Sequence, residues 1–387
     1  MTGLVLLALA ALLGSSRAGA EEPVPYRDLS TQGAAFLGPG RELSPPDTLS
    51  VVRLGLTGPS STLSGLDLQA GVALAVDQAN RAGGYRGLPY RVVFLPDDGP
   101  WGRVAAQVIA LIREHQVWAV IGGLDGERAH AAELVAAKLW APVITPGAGD
   151  LTIDYANVPW VFRLMPDDRA QADLLVRAAR ERGWRRLALL TEGTRDGRTA
   201  GERVAEAVHA AGLSLSLHLE FSAADPGEVM VRLARTGPDA VIAWARPASG
   251  ADLLLALRRA GVTTPLLVPA PMVCQEVAAA GDSLGEVFGA APLDLGSGEP
   301  RVVEFRRAFA DRNGREPSPL AAYAYEAARV VIAAVERAGL NRARIRDELA
   351  ATRMEGVTGM VTFDGLGGYR RDPVLVSLVK GHWTCTP

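Results

Sequence analysis

A chain of 387 residues, 48% hydrophobic and 21% charged, is long enough for two separately cored domains and has an ordinary globular composition. Its formal charge of -3, from 40 basic and 43 acidic side chains with no Lys/Arg run, leaves no electrostatic case for nucleic acid or an anionic membrane surface as partner.

The first element is the apolar run LVLLALAALL at 4–13, followed by GSSRAGA. It predicts a signal peptide, residues 1–20, cleaved after Ala20, although no Lys or Arg precedes the run. The run is too short for a bilayer, which needs about 20 apolar residues, and the other reading is an apolar helix buried in the fold. No cysteine stands at the cleavage point to carry a lipid, so the mature protein is expected to be periplasmic or secreted. Residues 21–50 form a Pro/Gly-rich leader in which Pro39, Pro45 and Pro46 exclude a helix or a central strand; it is expected to lie on the surface or be loose.

From Val51 a rhythm of strand, loop and helix begins. VVRLGL, YRVVFL, VWAVIG and PVIT read as four continuous apolar strands. Helices between them place Leu68, Val72, Val76 and Ala79, then Val104, Val108, Leu111 and Ile112, then Ala132, Val135, Ala136 and Leu139 on their inner faces. A second unit follows, with strands WVFRLMP, RRLALLT, LSLSLHLEF, DAVIAWA and PLLVPAP and an Asp-rich helix start, DDRAQADLL. After Gly289 long helices dominate, and the chain ends in two strands around a turn at 364–368. The class is α/β.

Signatures of catalysis are missing. The sequence has no Walker loop, no G-x-S-x-G elbow, no dinucleotide fingerprint and no metal-spaced histidines, so no enzyme, metal or cofactor is expected. Asp97 and Asp98 suit a strand-end cap better than a divalent ion. Cys274 and Cys385 are candidates for a disulfide or remain two unpaired thiols. The loops at 57–65, 97–102, 122–127 and 145–150 offer Gly, Ser and Thr at the carboxyl ends of parallel strands, where ligands sit. In TPGAG at 145–149 the backbone is stripped of side chains, as it would be for a small molecule to touch it; the other reading is that the glycines only make the turn.

VRLGLTGP, GLDLQAGVALAVDQANRAGG, VVFLPDD, AVIGG, APVITPGAG, VFRLMPDD, AYEAARVVIAAVERAG and GMVTFDGLGGYRRDPVLV, in that order, resemble the branched-chain amino-acid (Leu/Ile/Val)-binding proteins of ABC importers, which are type I periplasmic binding proteins. The resemblance spans roughly residues 50 to 380. It implies two doubly wound parallel-sheet lobes joined by three hinge crossings, near 164–167, 290–293 and 356–359. Lobe I would hold 51–164 and 293–356, and lobe II 166–290 and 358–387. A small-molecule ligand would be captured between them by hinge closure. The partner would be a membrane permease and the protein a monomer; a ligand-sensing or regulatory module of the same fold is the alternative. Both cysteines would fall in lobe II.

The resemblance selects Thr57, Trp101, Leu124, Asp125, Gly126, Thr145, Gly147, Ala148 and Gly149 from the first lobe, and Glu192, Asp196, Trp244, Arg246 and Met272 from the second, as ligand contacts. The amino-acid clamp itself is largely absent. Gly126 or a neighbour in GGLDGERA stands where the resemblance implies a carboxylate-holding Ser, and Gly149 where it implies a Thr. Ala270 and Met272 stand near the usual acidic residue, and Asp196 and Arg246 near the usual aromatics. The site is therefore expected to be more apolar, with Trp101, Trp244 and Met272 nearby and Arg246 placed to meet an acid group.

Overall fold

The computed structural model describes residue 36 and residues 40–45, 49–222 and 227–386. The apolar run at 4–13, the cleavage point and most of the leader lie outside them.

The first α/β body is built on β1 (Val52–Gly58), β2 (Tyr90–Pro96), β3 (Val120–Ile121), β4 (Val143–Thr145) and β5 (Val161–Arg163). These five are all parallel, in the order β2-β1-β3-β4-β5. The intervening helices are α1 (Leu63–Arg81), α2 (Trp101–Arg113), α3 (Gly126–Leu139) and the single turn α4 (Thr152–Tyr155). The second body contains α5 (Asp168–Glu181), β6 (Arg186–Glu192), α6 (Arg195–Ala210), β7 (Ser214–Phe221), α7 (Gly227–Thr236), β8 (Ala240–Trp244), α8 (Pro247–Arg259), β9 (Leu266–Val268), α9 (Gln275–Ala278) and β10 (Val287–Ala291). The chain then returns to the first body as α10 (Pro300–Asn313), α11 (Pro319–Ala338), α12 (Arg342–Ala350) and the hairpin β11 (Arg353–Gly356) and β12 (Gly359–Thr362). It ends in the second sheet as β13 (Val374–Val379) and β14 (His382–Cys385), giving the order β14-β13-β10-β9-β8-β6-β7.

Burial explains the sequence pattern. β3, β4, β8 and β9 are buried along their whole length, as strands sandwiched between helix layers must be. Edge strand β7 alternates instead. The apolar stripes of α1, α2 and α3 all face inward, with Leu68, Val72, Val104, Val108, Leu111 and Ala132 at most 3% exposed. On the opposite face of the first sheet α11 packs against α1, and at Gly71 a Cβ would lie 2.3 Å from the carbonyl oxygen of Ala321; only glycine lets the two helices approach this closely.

Several expectations change. The third passage between the sheets is later than 356–359. Those residues form the β11–β12 turn, while Val361 and Tyr369 stay in the apolar cluster of β1 and α11, and the chain joins the second sheet only at Val374. Strand β10, with two alanines and a glycine in VFGAA, was not legible as a strand. The cysteines form no disulfide: Cys274 caps α9 and its carbonyl accepts the Trp383 indole N–H at 3.2 Å, whereas Cys385 sits exposed on the last strand. The described part of the leader is fastened to the first body. Arg41 forms a forked ion pair with Asp347 (2.8 and 3.0 Å), Asn341 donates to the carbonyls of Gly40 and Leu43, and Phe36 stacks on Trp160 at 4.6 Å.

Arg163, fully buried at the end of β5, ties two of the passages together. Its backbone N–H donates to Gly367 (2.8 Å) and its carbonyl accepts from Tyr369 (2.9 Å). Its guanidinium holds Asp154 through two hydrogen bonds of 2.9 and 2.6 Å and also donates to the Met165 carbonyl. Replacing it strands a buried carboxylate. Arg163→Met should therefore lower the unfolding free energy by about 3–5 kcal/mol in urea titrations, and adding Asp154→Leu to the same chain should recover most of the loss.

Candidate functional site

A cavity of about 440 Å³ lies where the carboxyl ends of the parallel strands of the two sheets face each other, within the usual range for small-ligand sites of roughly 300–1,000 Å³. Its walls are the loops that follow β1, β3 and β4 on one side and β6, β8 and β9 on the other, with the start of α11 closing one end.

The loop after β3 turns into α3 with Asp125 as its N-cap, accepting the Arg128 N–H at 2.8 Å. The Arg128 guanidinium comes back to Asp125 at 2.5 Å and reaches the fully buried Asp97 at 3.5 Å. Thr57 Oγ1 donates to Asp97 at 3.3 Å. Asp98 takes the exposed role expected of a strand-end cap, accepting the Ser60 N–H at 3.1 Å. At the first residue of α3 the N–H of Gly126, a free donor in any helix, is already used: it donates to Asp196 Oδ2 at 2.7 Å across the boundary between the two bodies.

That contact answers why the backbone is bare. A Cβ on Gly126 would sit 2.6 Å from Asp150 Oδ2 and 2.8 Å from Asp196 Oδ1, and one on Gly149 would sit 2.5 Å from Asp168 Oδ1. The closest visitors to these glycines are acidic side chains of the chain itself. Asp150, almost fully buried, completes the seam by accepting from the Arg195 guanidinium, while Arg195 also donates to Thr152 Oγ1 at 2.8 Å. His130 lies beside the same group, bonded to Glu133 at 2.6 Å and to Thr152 Oγ1 at 2.9 Å.

On the opposite wall Glu192 engages Arg246 through the backbone N–H at 2.9 Å and the guanidinium at 2.6 Å. The Arg246 charge, expected to meet an acid group, meets the Glu192 carboxylate of the chain itself. Asp168 is 7% exposed, lines the cavity and accepts no hydrogen bond on its carboxylate from any described residue; the helix-capping role falls to its neighbour Asp167, which accepts the Ala170 N–H at 2.8 Å.

Of the residues singled out from sequence, Leu124, Asp125, Gly147, Gly149, Glu192, Asp196, Trp244 and Arg246 line the cavity, and Gly126 borders it through its occupied N–H. Thr57, Thr145, Ala148 and Met272 are buried outside the lining, Met272 beneath Gly250. Trp101 is 54% exposed and outside the lining, so the apolar wall is made by Trp244, Met165, Pro271 and Leu320 instead. Asp150, Asp168 and Arg195 escaped that selection. The signal for Asp168 was the doubled acid of PDDRAQ, where one aspartate suffices as a cap. Among the described residues no cluster of His, Cys, Asp and Glu could hold a metal ion.

The electrostatics of the seam follow from burial. Burial, then the charges of Asp125 and Asp150, raise the Asp196 carboxyl to about 7, against the opposing Gly126 N–H and Arg195. Burial and the neighbouring Asp150 and Asp196 hold the Asp168 carboxyl well above the ordinary carboxylate range. For His130 burial alone would favour the neutral ring, but its bonds to Asp150 and Glu133 win and raise it to about 9. Asp150, though buried, is held below the ordinary range by His130 and Arg195. Groups raised in the folded state contribute stability at low pH that is lost as pH rises: Asp196 between about pH 4 and 7, His130 between about 6.5 and 9. Asp150 contributes in the opposite sense, and its share is lost only in acid below the ordinary carboxylate range. Thermal denaturation of the unliganded protein should thus show a melting temperature that declines from about pH 5 to about pH 9, and Asp196→Asn should flatten the part below about pH 7 while leaving the His130 part. A melting temperature that rises over this range would contradict the assignment.

Residues 52–374 match the family described as periplasmic binding protein. A leucine-, isoleucine-, valine-, threonine- and alanine-binding protein of Pseudomonas aeruginosa is 24% identical over 328 residues, covering 83% of this chain and 87% of the relative. Among solved structures, the branched-chain amino acid transporter substrate binding protein of Streptococcus pneumoniae in complex with isoleucine superposes with a TM-score of 0.78 at 21% identity, covering 86% of this chain and 97% of its own. A solute binding protein of R. palustris in complex with benzoate gives a TM-score of 0.78 at 19% identity, covering 87% of this chain and 95% of its own.

Proposed function

The chain belongs to the periplasmic binding protein family of ABC transporters, and from that premise we propose that it captures one small organic solute between its two α/β bodies and hands it to the permease of an importer. As a member of that family it is a ligand-binding protein and not an enzyme. The single observation that carries the proposal is the cavity of about 440 Å³ at the facing sheet ends, walled by both bodies.

The passages between the sheets act as the hinge, and the Asp196–Gly126 and Arg195–Asp150 contacts act as the catch that holds the bodies together around the solute. The apolar run at 4–13 exports the chain and is removed after Ala20, leaving a periplasmic protein.

Recovery of the natural solute tests this directly. Protein purified from its own host and denatured should release one dominant small molecule by mass spectrometry, and adding that molecule to stripped protein should raise the melting temperature, by about 2.7 kcal/mol of stabilisation at a hundredfold excess over the dissociation constant. Recovery of nothing, with no stabilisation by host extract, counts against solute capture. Amino-terminal sequencing of the exported protein should begin at Glu21.

A further inference from the structure

Resting on that reading, we propose that the solute is a small organic cation, an ammonium attached to an apolar body and carrying no carboxylate, held by Asp168 and Asp196. The acidic excess of the cavity is the starting point: eight acidic side chains line it against two basic ones, Arg128 and Arg246. Both basic groups already have an acidic partner of the chain itself, Arg128 in Asp125 at 2.5 Å and Arg246 in Glu192 at 2.6 Å. An anionic solute would find no unpaired cation among them.

The backbone place that would receive an anion is also taken. The Gly126 N–H at the start of α3 is bonded to Asp196 Oδ2, so the protein's own carboxylate stands where a solute's carboxylate would need to be. The same carboxylate keeps its other oxygen, Oδ1, buried without a hydrogen bond, with only the Arg195 guanidinium, at 3.7 Å and itself held by Asp150, as an opposite charge near it. Asp168 supplies the second observation: a carboxylate only 7% exposed, lining the cavity, with no hydrogen bond to satisfy it. Arg163, whose charge bears on it, is committed to Asp154. Two under-satisfied acids facing one cavity repel each other, and a shared ammonium with several N–H donors removes both deficits at once. Met165, Trp244, Pro271 and Leu320 then supply contact for an apolar body.

Isosteric probes separate charge from shape. Calorimetric titration should be run with 3-methylbutylamine, leucine and 4-methylpentanoate, which share one side chain, and with benzylamine against benzoate. The amines should bind, and leucine and both acids should bind at least about a hundredfold more weakly. Asp168→Asn and Asp196→Asn should each weaken amine binding by about tenfold or more. Amine affinity of the unaltered protein should rise through about pH 7 as Asp196 ionises, in a setting where Asp125 and Asp150 oppose that ionisation and Arg195 favours it; Asp168, shifted in the same direction by burial, Asp150, Asp196 and Asp167 against Arg163, acts in the same sense. This pH readout remains decisive if a variant fails to fold. Tighter binding of either acid, or of leucine, than of the matching amine overturns the charge assignment while leaving capture intact. If none of the five binds, the charge assignment is overturned as well, and solute recovery decides separately whether capture stands.

Discussion

The structure turns on carboxylates of one body resting on bare backbone of the other. Asp196 comes within 2.7 Å of the Gly126 nitrogen, and Asp168 occupies the volume a side chain at 149 would need. Such an approach is possible only because both positions are glycine, and it is tolerable electrostatically only where a donor or an opposite charge is near. For Asp196 that donor is a helix N-terminal amide; for Asp150 it is Arg195; for Asp168 no described residue provides one. The loops after β3 and β4 and the starts of α5 and α6 therefore form one unit, although they belong to different sheets.

This unit also leaves no room for a longer side chain in either loop. A hydroxyl at 126 or 149 would have to occupy space now held by acidic oxygens. The wall keeps its charges in internal pairs wherever it can, as Glu192 and Arg246 do, so the residual field of the cavity comes from the acids that have no such partner.

Much of the fold was legible because it is periodic. Continuous apolar runs marked β1, β4, β8 and β9, and the stripes of α1, α2 and α3 face the interior as their spacing requires. What failed lacked a local signal. β10 carries Gly289 because Val273 crowds that position, where a Cβ would meet it at 2.5 Å, and its small alanines give no strand signal of their own. Val361 and Tyr369 look like part of a terminal strand pair, yet Tyr369 donates its hydroxyl to the Thr358 carbonyl and Arg163 pairs with the chain at Gly367, which keeps the segment on the first body. The site was half legible. Loop position after a parallel strand identified Leu124 and Gly147, and the resemblance Trp244 and Arg246, but a contact between positions 70 residues apart, Gly126 and Asp196, leaves no trace in either loop read alone.

Asp196 belongs to both the seam and the cavity, and this has a thermodynamic consequence. One oxygen bonds the Gly126 amide across the boundary while the other is buried without a hydrogen bond, 3.7 Å from the Arg195 guanidinium. Any group that stabilises its ionised form from the cavity side strengthens the charge-assisted bond on the seam side, because both act on the same carboxylate. Protonation weakens both together. Occupancy of the cavity and cohesion of the two bodies are then linked through a single side chain, with no transmitted strain required, and by reciprocity whatever separates the bodies must weaken the hold on a cation by the same factor.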